Sequence, residues 1–222
     1  MAYTAPTVRS VGDAVTAADY NIMANNDIQI ATMARGVFTN EAARDAAITS
    51  PTEGMHVYLT APTVPAATGE FTLIPTGVQT IYNGSVWVCL TEVAAFTTTF
   101  GNTTSTSLTT TLSSGGTNPS VTCVTGTTAL VTLSAQAFSD STAAQTATIC
   151  VSVSGATTIA AAQANGLRFQ PASQAATYDN PTNITFVLRS LTAGTNTFTL
   201  NYAVGTSNGT WFNRRLSVRG IA

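Results

Sequence analysis

The stretch VTLSAQA, residues 131–137, decides the fold: Val131, Leu133, Ala135 and Ala137 alternate with Thr132, Ser134 and Gln136. A period of two puts the apolar set on one face and the polar set on the other, which is the pattern of a half-buried strand. The same pattern extends along the chain. Ala147, Ile149, Val151 and Val153 alternate with Thr148, Cys150 and Ser152, and Ile184, Phe186 and Leu188 follow suit. Phe198, Leu200, Tyr202 and Val204 do the same, and Leu216 and Val218 close the series facing away from Arg215, Ser217 and Arg219. Gly155, Pro171, Asn180-Pro181, Gly194 and Asn208-Gly209 punctuate these runs as turns. Short antiparallel strands at such spacing predict a β-sandwich or jelly roll over residues 93–222.

Upstream the character changes. Nine of the eighteen charged residues lie at or before Glu53, whereas Asp140 alone lies between Glu92 and Arg168. Thr16 and Asp19 have the spacing of a capping box, Val15 and Tyr20 that of a hydrophobic staple, and Gly36 is a C-terminal stop. The helix so bounded has a narrow polar strip, Asn21, Asn25 and Gln29. Tyr20, Met23, Ala24, Ile28, Ile30 and Ala31 spread over most of the rest. A helix apolar over so much of its circumference needs covering on more than one side. Residues 1–36 are therefore expected to be an attachment segment, docked on a partner or set on a trimer axis, the alternative being a helix enclosed by its own domain.

Residues 37–92 read as a small helix-plus-hairpin module. NEAARDAA at 40–47 has good helix formers and is followed by Pro51. An extended piece at 56–60 and a Pro-rich loop, APTVPAATGEFTLIP, come next, and Asn83-Gly84 joins 80–82 to 86–90 in the strongest short-range hairpin signal. The expected fold class is thus mainly β: an N-terminal helix, a small helix/β-hairpin module, and a C-terminal antiparallel β-sandwich.

Charged residues make up 8% of the 222, where a soluble domain carries about a quarter. The eight basic residues are all arginine and the net charge is −2. A surface this neutral suits a subunit packed against neighbours. It also speaks against nucleic acid, which needs clustered basic residues; Arg214-Arg215, the one adjacent pair, reads as an exposed strand end. Cys89, Cys123 and Cys150 are widely spaced and odd in number, so they are expected as reduced core residues. The N-terminus has no apolar leader and no run is long enough to span a membrane, so synthesis in the cytoplasm is expected.

Chemical motifs are sparse, and no catalytic, cofactor-binding or metal-binding residue is assigned. His56, the sole histidine, begins a strand and reads as structural. Paired-carboxylate glycoside hydrolysis needs two acids about 5 to 10 Å apart, and Asp140 and Asp179, the acids available after Glu92, sit in turn sequence. One histidine and scattered thiols offer no metal set, and Gly115-Gly116 precedes no helix that would make a phosphate cradle. What remains is recognition by contact. Phe169, Tyr178 and Trp211 lie in or near expected loops, where they either stack on a partner or cap the ends of the core.

Three stretches carry a resemblance. GDAVTAADYNIMANNDI (12–28) resembles the N-terminal segment of minor tail and virion proteins of phages infecting actinobacteria. FTNEAARDAAITSPTEGMHVYL (38–59) with IYNGSVWV (81–88) resembles a module of phage tail-fibre and head-decoration proteins. Residues 188–222 resemble the closing strands of tumour-necrosis-factor-like jelly rolls on phage particles. The resemblance implies a homotrimeric, non-enzymatic virion protein bound to capsid or tail proteins through its N-terminal region, with the jelly roll outward. The absence of a coiled-coil or β-helical shaft tilts this toward a capsid decoration or head fibre. The alternative it implies is a minor tail protein or receptor-binding module that recognises a host-envelope glycan.

Overall fold

The computed structural model describes residues 16, 18, 20–22, 36–139, 146–169 and 182–222. The chain forms β1 (Gly36–Phe38), α1 (Glu41–Ala47), β2 (His56–Leu59), β3 (Ala66–Thr68), β4 (Phe71–Leu73), β5 (Val78–Tyr82), β6 (Trp87–Cys89), β7 (Val93–Thr97) and β8 (Gly101–Thr103). It continues with β9 (Ser120–Thr125), β10 (Thr128–Ser139), β11 (Ala147–Gly155), β12 (Gly166–Phe169), β13 (Thr182–Leu188), β14 (Gly194–Val204) and β15 (Gly209–Ile221).

The sandwich is a set of nested antiparallel pairs: β7 with β15, β9 with β14, β10 with β13 and β11 with β12. Wrapped so that β10 also meets β15 and β11 also meets β14, they give two sheets, ordered β13-β10-β15-β7-β4 and β12-β11-β14-β9-β3. A long hairpin rolled on itself in this way is a jelly roll. The alternating residues meet between the sheets as expected. Val131, Leu133, Ile149, Phe198, Leu200, Tyr202 and Leu216 are all fully buried.

Two features depart from the sequence reading. The Pro-rich stretch is not only a loop: β3 adds to β9 and β4 adds to β7, so each forms an edge of a sandwich sheet. The core is also continuous across the chain, with Val57, Leu59, Val78 and Trp87 of the small sheet belonging to the same cluster as the sandwich residues. That sheet, β1-β2-β5-β6, is seated by a close approach. A Cβ added at Gly220 of β15 would meet Val88 Cγ1 at 2.5 Å and the Cys89 carbonyl oxygen at 2.8 Å. Only glycine lets the backbones come this near.

The local signals of the module hold. Asn40 caps α1 by accepting from the Ala43 amide at 3.0 Å. The Asn83 side chain accepts from the Ser85 and Val86 amides, and Gly84 takes φ +88° in the β5–β6 turn. Of the segment expected to form the N-terminal helix, residues 16, 18 and 20–22 are described: the Tyr20 amide donates to the Thr16 carbonyl at 3.1 Å, and Tyr20 is 70% exposed. Met23, Ala24, Ile28 and Ile30 lie outside the described residues, as do Asp140, Tyr178 and Asp179.

Candidate functional site

Trp211 is fully buried, so of the two places the sequence left open for it, a recognition surface or the end of the core, it takes the core. The cause is a β-bulge. Ser134 pairs with Arg215 and Gln136 with Phe212, so Asn213 and Arg214 together oppose Ala135 alone. Asn213 adopts φ +49° to make the offset, and its side-chain amide donates to Gln136 Oε1. The extra residue resets the parity of β15, turning Trp211 inward to the face of Leu216 and Val218, a face that Arg214 already shares by simple alternation.

Arg214 is not an exposed strand end but 1% exposed, on the face that Leu216 and Val218 occupy. Its guanidinium donates to the Tyr202 hydroxyl at 3.2 Å, to the Thr99 carbonyl at 3.0 Å and to the Gly115 carbonyl. Tyr202 in turn donates to Asn118 Oδ1 at 2.8 Å, and Asn118 Nδ2 donates to the Leu200 carbonyl. Burial pushes the Tyr202 phenol up to about 12, against the opposing pull of Arg214. A buried charge is tolerated only when its hydrogen bonds are met. Here neutral oxygens meet the two terminal nitrogens and the Tyr202 ring lies beside the cation, while Nε is buried without a partner; the bonds tie the long β8–β9 connection to the end of the sandwich. Gly115 serves as an acceptor in a structural clamp.

Phe169 pairs with Ala147 at the sandwich edge and is half-buried against the core, so its ring caps the apolar layer. The three thiols are free and buried, with burial raising Cys123 far above its ordinary value and Cys150 to about 11. Neither nucleophile chemistry nor metal binding is assembled from them. Among the described residues no group of three His, Cys, Asp or Glu side chains could hold a metal ion. No helix among them is long and apolar enough to cross a membrane.

The exposed feature of most interest lies on the outer face of the six-stranded sheet. Phe71 and Leu73 of β4 are 59% and 58% exposed, and Phe71 stands 6.2 Å from the Phe96 ring across the β4–β7 ladder. Arg215, opposite Phe96 on β15, completes a shallow hollow of about 230 Å³. Its head lies 3.7 Å from Glu92, both half-exposed. The sequence reading missed this patch. The signal was there, in the alternation Phe71-Thr72-Leu73 between Gly69 and Pro75, but three residues among prolines read as loop.

A second hollow, of about 280 Å³, lies between α1 and the sandwich, where Arg44 stacks on Trp87 with its guanidinium carbon 4.8 Å from the ring centre.

No protein-family model and no curated protein matches the sequence. Among solved structures, the chain is similar to Eiger TNF from S. frugiperda at 11% identity and a TM-score of 0.37, over 59% of this chain and 92% of that one. The CBM22-1 xylan-binding domain from Paenibacillus barcinonensis Xyn10C is similar at 11% identity and a TM-score of 0.24, over 55% and 88%. A cyclase from Fischerella sp. TAU is similar at 12% identity and a TM-score of 0.25, over 80% and 83%. Overlaps this loose say nothing about function or partners.

Proposed function

We propose that this chain is a non-enzymatic structural subunit of a tailed-bacteriophage virion, a homotrimeric capsid decoration or head fibre held by its N-terminal region with the jelly roll outward. The observation that carries the reading is the Phe71, Leu73 and Phe96 patch on an edge of a sheet in a chain with 8% charged residues. Contiguous apolar surface of this kind is a mark of an interface. Natural edge strands are normally defended by charge, and β4 carries none. Sister copies and the particle shell would cover both the patch and the apolar residues of the N-terminal segment.

The test is the mass of the recombinant chain by size-exclusion chromatography with light scattering, followed by its placement in an electron-microscopy map of the intact particle. A recombinant species of three times 22.8 kDa, found on the particle with β4 covered, is expected. A monomer across micromolar concentrations, or density that leaves β4 open to solvent, overturns the reading.

A second reading, a minor tail or receptor-binding module that takes up a host-envelope glycan, is favoured by the hollow beside α1, which sets Arg44 and Asp45 next to an apolar wall.

A further inference from the structure

We infer that the hollow between α1 and the sandwich is a binding site for a neutral sugar, with Arg44 and Asp45 as the polar pair that holds two of its hydroxyls. The inference deepens the glycan-binding reading and does not depend on trimer assembly.

Arg44 is 6% exposed, and Nε is the nitrogen it uses within the protein, donating to Asp45 Oδ1 at 2.8 Å. Its two terminal nitrogens have no acceptor among the described residues, and Arg44 lines the hollow. A buried arginine normally spends its whole donor fork on protein oxygens. Trp87 fixes the plane of this one by stacking beneath it, and Tyr82 backs the indole at 5.4 Å. The fork is therefore held in place at the wall of the hollow, with its terminal N–H donors given no acceptor among the described residues.

The charges select the ligand class. Glu41, Asp45 and Arg44 line the hollow, two negative and one positive, so an anion would enter a site of net −1. Glu41 is already engaged by the protein. Burial would raise its carboxyl, but hydrogen bonds from the Thr63 and Val64 amides and the Thr63 hydroxyl hold it lowered and occupy both oxygens. Asp45 is 58% exposed on its side chain and uses one oxygen on Arg44, leaving the other to accept. A site with unspent donors beside an unspent acceptor fits a group that both donates and accepts. Vicinal hydroxyls of a saccharide do so, one accepting from Nη and its neighbour donating to Asp45. Leu59, Val86 and Val124 supply an apolar wall for the ring carbons.

The experiment titrates the full chain with glucose, galactose, mannose and N-acetylglucosamine, using glucuronate as the charged control. Nitrogen-edited NMR follows the Arg44 Nε–H and Trp87 indole signals. At least one neutral sugar should shift both signals saturably in the millimolar range, glucuronate should bind more weakly, and Asp45→Asn should weaken binding at least about tenfold. Arg44→Lys, which keeps the charge but loses the fork, should do the same. The proposal is overturned if no neutral sugar shifts the signals up to about 100 mM. It also fails if glucuronate binds more tightly, or if Asp45→Asn, an exposed change that spares the fold, leaves the affinity unchanged. Light scattering on the same sample separates the two readings: a trimer that binds no sugar removes the site and keeps the assembly, and a sugar-binding monomer does the reverse.

Discussion

The Arg214 guanidinium carbon lies 5.5 Å from the centre of the Tyr202 ring while Nη1 donates to the hydroxyl of the same residue, so one side chain meets this buried cation with both its ring and its oxygen. Removing the hydroxyl strands a buried donor on Arg214 and the acceptor on Asn118. Tyr202→Phe should therefore cost about 1–3 kcal/mol in urea unfolding. Arg214→Lys should cost a similar amount, because a point charge cannot reach Tyr202, Thr99 and Gly115 together. A loss below about 0.5 kcal/mol in both would mean the clamp contributes nothing.

The left-handed backbone at Asn213 makes a ranking of substitutions. Asn213→Gly should be close to neutral, since glycine loses the Gln136 contact but accepts the positive φ without strain. Asn213→Val should lose about 2 kcal/mol, with a β-branched side chain forced into the same conformation. Equal midpoints for the two variants would refute the bulge as the device that sets the parity of β15.

Glu70 gives the chain an acid-sensitive joint. One carboxylate oxygen accepts from the Thr98 amide, the Thr98 hydroxyl and the Thr99 amide. The Thr99 side chain, outweighing desolvation, and the Thr98 contacts lower its carboxyl from 4.5 to about 2. An unfolded chain binds the proton near 4.5, so the stabilisation is complete above that pH and fades as pH falls toward about 2. Denaturation midpoints measured across this window should fall in the natural chain and fall less in Glu70→Gln.

Leu73→Asp places a charge in the middle of the exposed patch while leaving the core untouched. On the assembly reading it should convert the oligomer to folded monomer, seen as a drop in mass with an unchanged circular dichroism spectrum. An unchanged mass would move the interface elsewhere.

Cys89, Cys123 and Cys150 should resist a thiol reagent at pH 8 in the folded state and all react on denaturation, because burial disfavours each thiolate. Rapid labelling of any one in the native protein would contradict its enclosure.

The parts of this protein legible in its sequence are those with a local physical cause. Alternation fixes which side of β10, β11 and β14 is buried, because successive side chains on a strand must point opposite ways. Asn40 and Asn83-Gly84 announce a cap and a turn through their own hydrogen bonds and permitted torsions. What the tertiary structure decided are the things that depend on a neighbour far along the chain. The bulge opposite Ala135 reverses the facing of Trp211, and no count by twos from Leu216 could foresee it. β4 exists because β7 offers it a ladder, so its three residues are a strand only in company. Arg44 and Asp45 looked like ordinary helix charges until Trp87, more than forty residues later in sequence, came to lie under the guanidinium. Sequence sets the period of a strand, and pairing sets its register and what it faces.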